Sequence, residues 1–219
     1  MDQDGGVGGN AQAPRRVVRR ALPESDAVFL ADTSGSMAYR DLADGRSVGE
    51  DGPDMFGSNV GAGPGSGVPR RIDRQAEVLG YLLRSVKLRG LVCFSDLPVD
   101  VELYGSVRLP EPDGSTNLAL GLEHVLRKFG DARPDRAGRL IVLSDGEPND
   151  MAAALAAARR LRPMVVDAFY IGPDDNARCK KFMADLALCG GAGGRSGRFE
   201  LADPALVAGE IHKLLTGSR

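Results

Sequence analysis

Ala27-Val28-Phe29-Leu30-Ala31-Asp32-Thr33-Ser34-Gly35-Ser36 joins a short apolar run to a string of oxygen-bearing side chains. A run of five apolar residues with polar neighbours has the length of a buried strand rather than of a helix. The carboxylate and hydroxyls that follow place hard oxygen donors where the chain leaves the sheet. Asp32, Ser34 and Ser36 stand at alternate positions, so their side chains can turn toward one point, which predicts a site for a cation such as Mg²⁺.

Downstream, short apolar runs alternate with segments of helical period, the pattern of βαβ units around a parallel sheet. Residues 72–86 put Ile72, Ala76, Leu79, Leu83 and Val86 on one helical face, with Gly80 allowing close approach to the sheet. Leu91-Val92-Cys93-Phe94 predicts a second buried strand, and residues 99–104 alternate as an edge strand with Val99, Val101 and Leu103 on one side. Thr116-Asn117 opens a helix carrying Leu118, Leu122, Val125 and Phe129, which Gly130 is expected to close in the left-handed conformation. Leu140-Ile141-Val142-Leu143 is the most continuously apolar strand and is expected at the centre. An alanine-rich helix at 151–161, a strand at 165–171 and a helix at 177–188 with Cys179, Phe182, Met183, Leu186 and Cys189 inward follow. A last strand is expected at 199–201, then a helix capped by Asp203 and Pro204 with Leu206, Val207, Ile211, Leu214 and Leu215 on its apolar side. The fold class is α/β: a doubly wound, mostly parallel sheet with one antiparallel edge strand and helices on both faces.

With 219 residues the chain suits one domain at 26–216, preceded by a flexible leader at 1–25 in which Arg15, Arg16, Arg19 and Arg20 sit among glycines as a solvated arm. A formal net charge of −2 gives no global field for nucleic acid or an anionic membrane. Three cysteines, Cys93, Cys179 and Cys189, cannot all pair and have no CxxC spacing, so they read as small core residues. Residues 1–13 are polar and glycine-rich and contain no apolar secretion core, so a cytoplasmic location is expected.

Three loops then stand at carboxyl ends of strands, 32–36, 114–117 and 144–147, which is where open α/β sheets bind ligands. The order predicts that Asp32, Ser34, Ser36, Thr116 and Asp145 converge. At these residues the sequence resembles the von Willebrand factor type A (vWA) domains, whose metal-ion-dependent adhesion site is written Asp-x-Ser-x-Ser, then Thr, then Asp. Asp32, Ser34 and Ser36 match the first element, Thr116 in Gly114-Ser115-Thr116-Asn117-Leu118 the second, and Asp145 in Ser144-Asp145-Gly146 the third. The likeness spans residues 26–215. It implies a Rossmann-like fold, Mg²⁺ or Mn²⁺ as the cofactor, and a protein partner that presents an Asp or Glu carboxylate to the metal. It also points to a stand-alone intracellular member of bacterial type, a scaffold or adaptor without catalysis that works in a multi-subunit complex beside an AAA+ ATPase or a kinase or phosphatase module.

The stretch 41–69 departs from the compact pattern. Its glycines and its prolines Pro53, Pro64 and Pro69 make it a glycine-rich insertion on the metal face, a lid, an extension of the partner surface or a connector. Its acidic residues Asp41, Asp44, Glu50, Asp51 and Asp54 do not follow EF-hand order. Glu147 reads as a surface turn residue, and His124 and His212 have no metal partner in sequence. The alternative function is a Mg²⁺-dependent phosphohydrolase of the haloacid dehalogenase kind. That pattern needs Asp-x-Asp, whereas Ser34 stands at the second position. A serine hydrolase lacks its Gly-x-Ser-x-Gly string, and no P-loop sequence is present.

Overall fold

The apolar run that opens the domain becomes strand β1 (Ala27–Asp32), buried along its whole length. The computed structural model describes residues 22–40, 69–103, 107–130, 138–146, 148–162, 164–172, 176–191, 196–198 and 204–216. The leader through residue 21, the insertion through residue 68, Glu147, the strand expected at 199–201 and the Asp203 cap lie outside the described residues.

After β1 and a short 3-10 turn (Gly35–Ala38) come α1 (Arg71–Leu83), β2 (Gly90–Phe94), β3 (Pro98–Val101), α2 (Leu118–Phe129), β4 (Arg139–Ser144), α3 (Met151–Arg159), β5 (Val165–Tyr170), α4 (Ala177–Ala187), β6 (Ser196–Arg198) and α5 (Pro204–Thr216). They form one sheet in the order β3-β2-β1-β4-β5-β6. All pairings are parallel except β2 with β3, so the antiparallel strand lies at the edge as the sequence predicts. β1 and β4 are the two middle strands, buried on both faces, which is why their sequences are apolar without alternation.

Successive residues of β1 serve opposite layers. Val28 and Leu30 pack with Val92, Phe94 and the inward residues of α2, α3 and α4, whereas Ala27, Phe29 and Ala31 pack with α1 and α5. Leu118, Leu122, Val125 and Phe129 of α2 are all buried, as are Cys179, Phe182, Met183 and Leu186 of α4. Asn117 caps α2, Asp150 caps α3 and Asn176 caps α4, each side-chain oxygen accepting from a backbone N–H of the first turn. Among the described residues, no helix is long and apolar enough to cross a membrane.

Four expectations change. Of the expected inward set on α1, Ile72 and Leu79 are buried, as is Val86 just past the helix, and Leu83 packs against the same layer, but Ala76 is only half-buried and Arg71, Gln75, Val78 and Leu82 are buried as well, because two polar residues face inward and apolar spacing does not register them. Gly80 is not a close-approach position, since a Cβ there would meet nothing nearer than Arg84 Nη1 at 3.9 Å. Gly130 ends α2 at φ −70°, right-handed. Val99 is 52% exposed although Val101 and Leu103 pack against the α1/α5 layer, since an edge strand is covered along only part of its length.

Candidate metal centre

The strand order reverses between β1 and β4, whose crossover helices leave toward opposite faces, and the chain ends of these two strands therefore border a crevice. Asp32 ends β1, and Ser144 and Asp145 stand at the end of β4. Backbone hydrogen bonds tie the neighbouring loops together. Gly35 N donates to Gly114 O at 3.1 Å, Asp113 N to Thr33 O at 3.0 Å, and Asn149 N to Thr116 O at 3.0 Å. The Asn149 side chain closes the link, accepting from Thr116 N at 3.1 Å and donating to Ser115 Oγ at 2.9 Å. Two of the turns need a left-handed backbone, Gly114 at φ 71° and Gly146 at φ 76°, and glycine adopts it without a Cβ clash.

Within this frame Asp32 is fully buried, Ser34 is 1%, Asp145 3% and Thr116 7% exposed, and Ser36 is half-buried. Asp32 Oδ1 accepts from Ser34 N at 2.9 Å and Oδ2 from Ser144 Oγ at 2.6 Å. Ser34 Oγ and Ser36 Oγ lie 3.1 Å apart. Arg71 Nη1 donates to Asp145 Oδ2 at 3.1 Å, and Gln75 Nε2 donates to Asp32 O at 2.9 Å.

Burial pushes the Asp32 carboxyl up to about 7, and the charge of Asp145 adds to the rise against the hydrogen bonds from Ser144 and Ser34. The same burial, with the Asp32 charge behind it, pushes the neighbouring Cys93 thiol up to about 12. The donor set is thus all oxygen, two crowded carboxylates and neutral hydroxyls, the chemistry that suits a hard divalent cation. Among the described residues, no cluster of three or more His, Cys, Asp and Glu side chains offers a different centre.

No family profile and no curated protein matches the chain. Solved structures do. The manganese-loaded TRAP protein of Plasmodium vivax is 18% identical with a TM-score of 0.53, over 87% of this chain and 72% of that one. The PilB minor pilin of Streptococcus sanguinis (D319A mutant) is 13% identical with a TM-score of 0.63, over 93% and 65%. Proximal thread matrix protein 1 from mussel byssus, with a zinc-occupied MIDAS motif, is 14% identical with a TM-score of 0.52, over 89% and 46%. The chain has the vWA fold. At these identities the likeness establishes architecture, and the chain spans less than half of the byssus protein.

In this vWA fold the five residues singled out from sequence lie on three adjoining loops at the carboxyl edge of the sheet. Sequence reasoning passed over Arg71, Gln75, Ser144, Asn149 and Asp96. The Ser115 hydroxyl and backbone N–H both reach Asp96, and these hydrogen bonds hold its carboxyl below the usual carboxylate range. Arg71 and Gln75 carried one signal, two polar residues four apart beside Ile72 and Leu79 in an amphipathic helix. Ser144 stood beside Asp145 in the quoted motif. Asn149 and Asp96 had none, since each acts on a loop distant in sequence.

Proposed function

We propose that this chain is a divalent-metal-dependent protein-binding domain, with Asp32, Ser34, Ser36, Thr116 and Asp145 holding Mg²⁺ or Mn²⁺. The bound ion supplies an open coordination position for an Asp or Glu carboxylate of a partner protein. The observation that carries this reading is the pair of buried carboxylates, Asp32 and Asp145, at the ends of adjoining strands, where burial and then the charge of Asp145 raise the cost of charging Asp32. A divalent charge offsets both, and the serine and threonine hydroxyls add donors without adding charge. The manganese and zinc in the two solved neighbours support a divalent ion.

Binding is favoured over catalysis by the partners of the serines. Ser34 Oγ meets Ser36 Oγ, and Ser34 occupies the position where a haloacid dehalogenase-type phosphohydrolase needs its second aspartate. Isothermal titration with Mn²⁺ and capture of partners from lysate with Mg²⁺ or EDTA test the reading. Asp32→Ala and Asp145→Ala are expected to weaken Mn²⁺ binding by on the order of 100-fold or more, with the fold retained. Sequencing the captured protein decides between an AAA+ ATPase and a kinase or phosphatase module. Undiminished capture in EDTA would overturn the proposal.

A further inference from the structure

We propose that Asp96 is a positioning residue for the metal site. Through Ser115 and Asn149 it fixes the backbone that carries Thr116, and it does so as a hydrogen-bond acceptor, not as a charge. The inference rests on the metal-site reading above, in which Thr116 is a ligand. Asp96 stands exposed in the turn between β2 and β3. One of its oxygens, Oδ1, accepts from Ser115 N at 2.9 Å and also from Ser115 Oγ.

Donor chemistry fixes the direction of the hydrogen bonds that lead on from there. A carboxylate only accepts, so the Ser115 hydroxyl commits its proton to Asp96 and accepts in turn from Asn149 Nδ2 at 2.9 Å. That leaves Asn149 Oδ1 to face Thr116 N, from which it accepts at 3.1 Å, while Asn149 N donates to Thr116 O at 3.0 Å. Thr116 is thus held on both sides of its Cα by one residue, whose amide is oriented from Asp96. The next residue is tied to the same turn, Asn117 N donating to Ser95 O at 2.9 Å. A β-branched side chain has few χ1 rotamers, so a fixed backbone also places the Thr116 hydroxyl. Gly114 marks the arrangement independently. A Cβ there would meet Asp96 Oδ2 at 2.5 Å, and its φ of 71° already disfavours any side chain, so the loop closes directly against the Asp96 carboxyl. Donors held in place bind a cation without the cost of ordering them, and a residue outside the donor set then governs affinity.

Mn²⁺ titration calorimetry on the full chain separates positioning from charge. Asp96→Asn keeps an acceptor oxygen for both Ser115 donors and is expected to bind Mn²⁺ within about twofold of the wild type. Asp96→Ala is expected to bind about tenfold more weakly, with its thermal midpoint in EDTA little changed because the site of substitution is exposed. In a Thr116→Ala background Asp96→Ala is expected to have no further effect, since its influence passes through that hydroxyl. Equal affinity of Asp96→Ala and the wild type overturns the proposal and leaves the metal site standing. So does a further loss in the Thr116→Ala background, or an Asp96→Asn protein as weak as Asp96→Ala, which assigns the effect to charge. Absence of Mn²⁺ binding by the wild type overturns both readings. One measurement needs no variant to fold: in EDTA the Ser115 and Thr116 amide hydrogens of the wild type are expected to exchange at least about tenfold more slowly than those of an open loop, and unprotected amides overturn the positioning role.

Discussion

Two buried aspartates in this fold face an arginine. Asp167 of β5 is fully buried and forms a salt bridge with Arg139, which opens the neighbouring β4. Asp145, just past the other end of β4, forms its salt bridge with Arg71 of α1. The first pair is built inside the sheet, between residues whose strands are already in register. The second crosses from a helix to a loop, 74 positions apart, and shares its space with Asp32. A buried carboxylate held by a guanidinium within the sheet is a structural solution. A second buried carboxylate crowded against the first, so that burial and the Asp145 charge both oppose ionisation of Asp32, distinguishes a candidate site from a packing pair.

The largest expected effect breaks the comparison at Asp32. Its folded-state carboxyl, pushed up to about 7, holds its proton more tightly than the unfolded chain at 3.8. In EDTA its contribution to stability is therefore unpenalised below about pH 4, falls as pH rises to about 7, and above that costs about 4 kcal/mol. Asp32→Asn should remove this slope, so its unfolding free energy in urea should gain on the wild type across the window. Parallel curves would show that burial and the Asp145 charge do not raise the Asp32 carboxyl.

Next in size, Asp167→Ala should lower the unfolding free energy by about 3 kcal/mol through the loss of a buried pair, with Mn²⁺ affinity unchanged. A changed affinity would mean that the two arginine pairs are coupled through β4. The smallest effect sharpens the role of Ser144, whose hydroxyl donates to Asp32 Oδ2. Ser144→Ala should cost about 2 kcal/mol in EDTA, the scale of a hydrogen bond to a charged group, and about tenfold in Mn²⁺ affinity. Calorimetry that finds affinity untouched would reduce Ser144 to a turn residue.

The middle strands were legible because burial on both faces leaves an unbroken apolar record, as in 27–31 and 140–143. α2 was equally legible, its four inward residues falling at helical spacing and all four buried. α1 was legible only in part on its inward side for the opposite reason: Ile72 and Leu79 are buried as expected, but their polar neighbours are too. Arg71 and Gln75 point into the protein to meet charge and backbone at the site, and a rule built on apolar periodicity counts them as surface. Gly130 shows a smaller failure, since glycine permits the left-handed conformation without requiring it.

By itself the sequence determined the alternation of strands and helices, the antiparallel edge, and the residue types at three strand ends, because backbone periodicity and donor chemistry are local properties. Only the tertiary structure decided which side chains meet there. Ser144 on Asp32, Arg71 on Asp145, Gln75 beneath the end of β1 and Asn149 bridging two loops depend on strand order and on how α1 is laid across the sheet. Those contacts join residues far apart in the chain, and their energies come from burial and charge balance, which exist only once the sheet has closed over them.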